Sequence, residues 1–152
     1  MKAINVVWQN YGRRRIYDDD DEELFFEYNE KSNTSYIEAV DGKGNRKRVD
    51  IESSIFKEFW EEIKKIDFIK TVEENENYYG DDGWRLQLKI IVPNHDIVVS
   101  LWWPSKTLYE EKGMTESLKY FEFIEKLVAY AKSKKLRITG RIPASGYFMK
   151  VE

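Results

Sequence analysis

Two stretches of the chain carry apolar residues at helical spacing. In the first, which starts at Ser53 or Ser54, apolar residues recur every three or four positions as far as Ile66, and charged residues fill the positions between them. In the second, from about Thr115 to Ser133, two neighbouring apolar stripes run along one side. Because such stripes are buried against a core, the pattern predicts two amphipathic helices.

Other segments alternate between apolar and polar residues, with a period of two. In the segment from Trp84 to Ile90, for example, every second residue is apolar. This alternation indicates strands with one buried face. The predicted strands cover residues 3–8, 24–28, 35–40, 46–51, 84–90 and 97–103, and residues 136–142 are a further candidate at an edge.

The connections between several of these strands are short and polar. Residues 41–45 include two glycines, which supply the positive φ angles of a tight reversal, and residues 93–96 form a second turn. Turns of this length cannot hold a parallel crossover. The order of elements therefore predicts an α+β fold, in which a largely antiparallel sheet of five to seven strands in hairpins packs against two amphipathic helices. With no linker or repeat, we expect one domain over residues 1–152.

The composition excludes several kinds of chemistry. The chain of 152 residues has no cysteine, which excludes disulfides, thiolate metal sites and a cysteine nucleophile. Its single histidine, His95, lies in a predicted turn, and the glycines near Lys43 are not placed between a strand and a helix as a phosphate-binding loop requires. No apolar run is long enough for a membrane span. We expect no catalytic residue, no cofactor, no metal and no membrane contact, in a cytoplasmic protein.

The small net charge of −3 conceals a polarised chain. Residues 1–125 carry 18 basic and 27 acidic side chains, a net charge of −9, whereas residues 126–152 carry 7 and 1, a net charge of +6. The basic runs at 13–15 and 46–48 are short, and the first directly precedes acids that would repel phosphate. We therefore do not expect nucleic acid to be the partner.

Two clusters of acidic residues, at 18–23 and 73–82, stand beside aromatic residues. Carboxylates attract a basic protein, while tyrosine and tryptophan supply amphipathic contacts that hold it. This pattern predicts a partner-binding surface for a basic protein. The candidate residues are Asp18, Asp19, Asp20, Asp21, Glu73, Glu74, Glu76, Tyr78, Tyr79, Asp81, Asp82 and Trp84.

Three alternative interpretations remain open. Both clusters could be solvated loops whose charges repel one another. A metal-dependent hydrolase could use Asp19, Asp21, Asp81 and Asp82, although the first cluster lacks the glycine and the final glutamate of a calcium-binding loop. The chain could also be an interaction module of a phage or mobile element.

Residues 78–131 contain the run Tyr-Tyr-Gly-Asp-Asp-Gly-Trp at 78–84, an alternating strand, a hairpin, Trp103 with Pro104, and an amphipathic helix. This arrangement resembles small bacterial immunity proteins of polymorphic-toxin and contact-dependent inhibition systems. The resemblance implies a cytoplasmic, non-enzymatic protein that is acidic where it blocks a toxin's active site. The expected partner is a cognate basic toxin domain, for which a nuclease is one candidate.

Overall fold

The structure, a computed structural model, describes residues 1–10, 21–78, 84–102 and 104–138, with Asn10 and Trp84 described by their backbone. Within these ranges the chain forms six strands and four helices. The strands are β1 (Lys2–Asn10), β2 (Glu22–Asn29), β3 (Thr34–Val40), β4 (Arg46–Ile51), β5 (Trp84–Val92) and β6 (His95–Trp102). The helices are α1 (Ser53–Ile63), α2 (Phe68–Glu74), α3 (Lys106–Glu111) and α4 (Thr115–Ser133).

All six strands pair in one antiparallel sheet, in the order β4-β3-β2-β1-β5-β6. The first four strands form a meander, and the β5–β6 hairpin joins it on the free side of β1. The predicted α+β fold with an antiparallel sheet of five to seven strands is confirmed. The β5–β6 hairpin brings the second half of the chain into the same sheet as the first.

The sheet buries one face against the helices, as strand alternation requires. Phe26 in β2 points to this face, and its ring makes edge contacts with Phe56 and Phe59 of α1 at centroid distances of 5.1 and 5.4 Å. The neighbouring Phe25 points to the other face and is half-buried. The core therefore lies between one side of the sheet and the layer of helices.

Tyr120 attaches α4 to the β5–β6 hairpin. Its buried hydroxyl donates a hydrogen bond to the backbone oxygen of Val99 at 2.8 Å and lies 3.3 Å from that of Leu86. Burial raises the pKa of the Tyr120 hydroxyl well above its usual value, so the group stays neutral. This contact positions α4 over the strands at this side of the sheet.

The structure confirms α4 at the predicted bounds, whereas the first predicted helix ends at Ile63 instead of Ile66. α1 ends at Ile63, where short-range backbone hydrogen bonds tighten the chain into a turn that carries Ile66 into the core. Asp67 then accepts a hydrogen bond from the backbone N–H of Lys70 and starts α2, a helix that we did not predict. The short helix α3 was also not predicted.

The candidate edge strand at 136–142 falls partly outside the described residues. Its described part, residues 136–138, is not in a strand, although Leu136 and Ile138 are buried in the core. Among the described helices, none combines the length and the apolarity that crossing a membrane requires.

Replacing the two neighbouring phenylalanines tests which face holds the core. Phe26→Ala should lower the free energy of unfolding by about 3–5 kcal/mol, because it leaves a cavity among aromatic rings. Phe25→Ala should cost only about 1 kcal/mol, since its half-buried ring leaves a depression that water can fill. Urea denaturation of both variants measures the difference, and equal losses would contradict the assignment of faces.

Candidate partner-binding site

The two acidic segments are attached to the sheet at the same end. Asp21 immediately precedes Glu22, which pairs with Trp8 near the end of β1, and Trp84 pairs with Asn10, the last residue of β1. Asp21 and Trp84 therefore flank the end of the same strand, one on each side. Two strand spacings separate them, or roughly 10 Å. The first acidic segment therefore enters β2, and the second enters β5, on the two sides of the end of β1.

Several candidate residues lie outside the part of the chain that the structure describes. They are Asp18, Asp19, Asp20, Tyr79, Asp81, Asp82 and the side chain of Trp84. Asp21, Glu73, Glu74, Glu76 and Tyr78 are described, and all of them are exposed except Glu74, which is half-buried. The geometry of the candidate site is therefore carried by α2 and the residues that follow it.

α2 turns two polar residues inward beside the half-buried Phe68, and it turns its aliphatic residues outward. Thr71 is fully buried and Asn75, which follows the helix, is 9% exposed. Ile69 and Val72 point outward and are 75% and 55% exposed. A helix that merely covers a core shows the opposite arrangement. The outward aliphatic side chains thus gain nothing from the fold and remain available to another molecule.

The inward polar residues are held by hydrogen bonds, which explains how a helix of this kind can pack. The Thr71 hydroxyl donates to the backbone oxygen of Asp67 at 2.8 Å. The Asn75 amide donates to the backbone oxygen of Thr71 at 2.8 Å and to the Ser117 hydroxyl at 2.7 Å. Because buried donors must be paired to avoid a desolvation cost, these bonds favour this orientation of α2.

Two exposed carboxylates accompany the aliphatic residues. Glu73 lies four positions after Ile69, so the two side chains share one side of the helix, and Val72 is exposed next to Glu73 in the chain. Glu76 lies in the turn after α2, and neither carboxylate forms an ion pair with a described residue. Ile69, Val72, Glu73, Glu76 and the 36% exposed Tyr78 are called the α2 surface below.

Glu74 has a different role from its neighbours. Its carboxylate accepts hydrogen bonds from the backbone N–H and the hydroxyl of Ser117, at 2.8 and 2.7 Å, and from the backbone N–H of Glu116 at 3.3 Å. Met114, at the N-cap position of α4, offers no side-chain cap. Glu74 therefore caps α4 from a separate helix, where the positive end of the helix dipole also favours a carboxylate.

Carboxylates on the other face of the sheet are also engaged within the protein. The Asn5 amide donates to Glu23 at 2.7 Å, and Glu38 pairs with both Arg46 and Arg48 at 3.1 and 3.3 Å. The two arginines neutralise the charge of Glu38, and the Asn5 amide uses an acceptor of Glu23. The α2 surface differs because its acids are not committed to described residues.

Tyr36 and Glu27 form a further pair on that face. The Tyr36 hydroxyl donates a hydrogen bond to Glu27, and the Arg48 guanidinium stacks 3.8 Å from the centre of the Tyr36 ring. Partial burial, reinforced by the Glu27 carboxylate, raises the pKa of Tyr36 to about 12. Both groups are thus bound within the protein.

The described residues provide no metal-binding cluster that would support the interpretation as a metal-dependent hydrolase. No group of three or more histidine, aspartate or glutamate side chains in ranges 1–10, 21–78, 84–102 and 104–138 could hold a metal ion. Of its four candidates, only Asp21 lies within these ranges.

Ile69 and Val72 are the residues that sequence reasoning missed. A signal existed, since Asp67 can cap a helix in which Phe68, Thr71 and Asn75 share one side. Hydrophobicity alone would have predicted that Ile69 and Val72 are buried, whereas both are exposed.

No protein-family model matches this chain, and no curated protein matches it significantly in sequence.

The cap that Glu74 provides can be tested by stability. Glu74→Ala should lower the free energy of unfolding by about 1–2 kcal/mol, because it leaves the α4 N-terminus and the Ser117 hydroxyl without an acceptor. The neighbouring variant Glu73→Ala serves as the control and should stay within about 0.5 kcal/mol of the wild type. Thermal and urea unfolding measure both, and the reverse ranking would refute the cap.

The raised pKa of Tyr36 predicts a loss of stability at high pH. In the unfolded chain tyrosine ionises near pH 10, whereas in the folded protein Tyr36 ionises near pH 12. Its contribution is therefore complete below pH 10 and is lost as the pH rises from 10 to 12. Urea unfolding should show a weaker pH dependence for Tyr36→Phe than for the wild type in this window, and identical slopes would show that Tyr36 does not contribute.

Proposed function

We propose that this protein is a non-catalytic inhibitor that binds a basic protein, and that it acts as an immunity protein that neutralises a cognate toxin domain. The observation that carries the proposal is the α2 surface, where exposed aliphatic side chains lie beside carboxylates without described partners. Six positions after Tyr78 along the chain, Trp84 enters β5 at the end of the sheet at which both acidic segments are attached.

The two kinds of residue on this surface would do different work in binding. Glu73 and Glu76 would attract a positively charged partner over distance and so accelerate association. Ile69 and Val72 would be buried on contact and so slow dissociation. A toxin that acts on an anionic substrate presents a basic active site, and the carboxylates would compete there with the substrate's negative groups.

The charge of the chain supports the same partner. The net charge of −9 over residues 1–125 favours approach of a basic protein. The resemblance of residues 78–131 to immunity proteins supports a toxin domain as the partner. Asp21, which is exposed and immediately precedes β2, would add a further carboxylate to the charge that attracts the partner.

Reversing two charges of the α2 surface tests the electrostatic part. The variant Glu73→Lys/Glu76→Lys should slow association with the cognate toxin domain, to be sought in the gene that ends immediately upstream, by about 10-fold or more at low salt. The difference should shrink at high salt. Surface plasmon resonance measures the rates, and co-expression with the toxin measures protection of growth.

The matched control is Glu58→Lys/Glu122→Lys, which changes the net charge equally at exposed positions on α1 and α4. It should associate almost as fast as the wild type. An equal effect of both variants would show that only net charge matters. A wild type that neither binds that toxin domain nor protects growth would refute the proposed function.

Truncating the aliphatic pair tests the contact part. Ile69→Ala/Val72→Ala should raise the dissociation rate by about 10-fold while changing the association rate little, because short-range contacts break mainly during dissociation. Folding should be unaffected, since both side chains are exposed in the free protein. An unchanged dissociation rate would place the contact elsewhere.

A further inference from the structure

The two edges of the sheet differ in how they are protected. The β4 edge carries charged residues at four of its six positions, Arg46, Lys47, Arg48 and Asp50. Charges of this kind discourage another strand from pairing with an exposed edge. The β6 edge has one carboxylate, Asp96, and continues from 97 to 102 without any charge.

The first half of β6 exposes apolar side chains on both faces. Ile97 is 40% exposed and the next residue, Val98, is 50% exposed, although adjacent strand residues point to opposite faces. Within the described part of the chain, no strand pairs with the outer side of β6. Backbone groups that pair with no described strand and apolar side chains together make this edge a template for another strand.

We propose that β6 pairs with β6 of a second copy of this chain, antiparallel about a twofold axis at Val98. The inference does not depend on the proposed function. The pairing of the two β6 strands would join the two sheets edge to edge into one continuous antiparallel sheet. The interface would be isologous, since both copies contribute the same strand.

Self-complementarity of the strand selects this register. Val98 then faces Val98 of the second copy, Ile97 faces Val99, and Asp96 faces Ser100, whose hydroxyl can donate to the carboxylate. Moving the axis to Asp96 would instead place two carboxylates opposite each other, which is unfavourable. Asp96 is also paired with Lys89 of its own chain at 3.3 Å, which reduces its charge at the interface.

The described residues after β6 do not pair with its edge. Tyr130, in the last turn of α4, has its ring centre 6.2 Å from that of Phe26 in β2. Within the sheet, β1 and β5 lie between β2 and β6. The end of α4 therefore lies over β2 and away from the β6 edge, which favours a second copy of the chain as the occupant of that edge.

Analytical ultracentrifugation of the full chain, from about 1 μM to about 1 mM, tests the proposal over the range of weak interfaces. The wild type should form a concentration-dependent dimer. Val98→Lys should raise the dissociation constant at least about 10-fold, because two lysines would face each other at the axis. A wild type that remains monomeric throughout would overturn the proposal.

Val72→Lys is the matched control, since Val72 is similarly exposed but lies on α2. It should leave the dimer intact, and a dimer lost with Val72→Lys but not with Val98→Lys would overturn the proposed interface. Ser100→Lys tests the register, because the new ammonium group would face Asp96 of the other copy. This variant should tighten the dimer, and an unchanged or weaker dimer would overturn the proposed pairing.

Discussion

The pairing of β1 with both β2 and β5 holds the two halves of the chain in one sheet. Without the second of these ladders, the β1–β4 meander and the β5–β6 hairpin would share only the layer of helices. Since an antiparallel ladder sets which residues lie opposite each other, it also sets where the loops begin and end. The end of β1 thereby becomes the place to which two acidic segments, far apart in sequence, are attached.

The carboxylates of this protein fall into two groups that composition does not separate. Glu74 caps α4, Glu27 accepts from Tyr36, and Glu38 holds two arginines, so these acids serve the fold. Glu73 and Glu76 have no such partner among the described residues. Neighbouring acids in one run, Glu73 and Glu74, thus have different roles, because the helical turn points one outward and the other toward α4.

Much of the fold could be predicted because its elements have clear periods. Alternation identified the strands, and the stripes of α4 gave that helix with its correct ends. α2 could not be found in this way, since its buried positions are Thr71 and Asn75 and its exposed ones are Ile69 and Val72. Hydrogen bonds to Ser117, a residue more than forty positions away, stabilise this arrangement, and no local pattern contains that information.

By itself, the sequence determined the local elements, the antiparallel character of the hairpins, and the presence of acidic segments beside aromatic residues. These properties depend on neighbours a few positions apart, through side-chain period and turn length. Only the tertiary structure decided that the β5–β6 hairpin joins β1, that α2 turns its aliphatic side outward, and that β6 is an edge. Each of these features depends on contacts between residues that are distant along the chain. Such contacts form, and contribute their free energy, only when the whole core packs together.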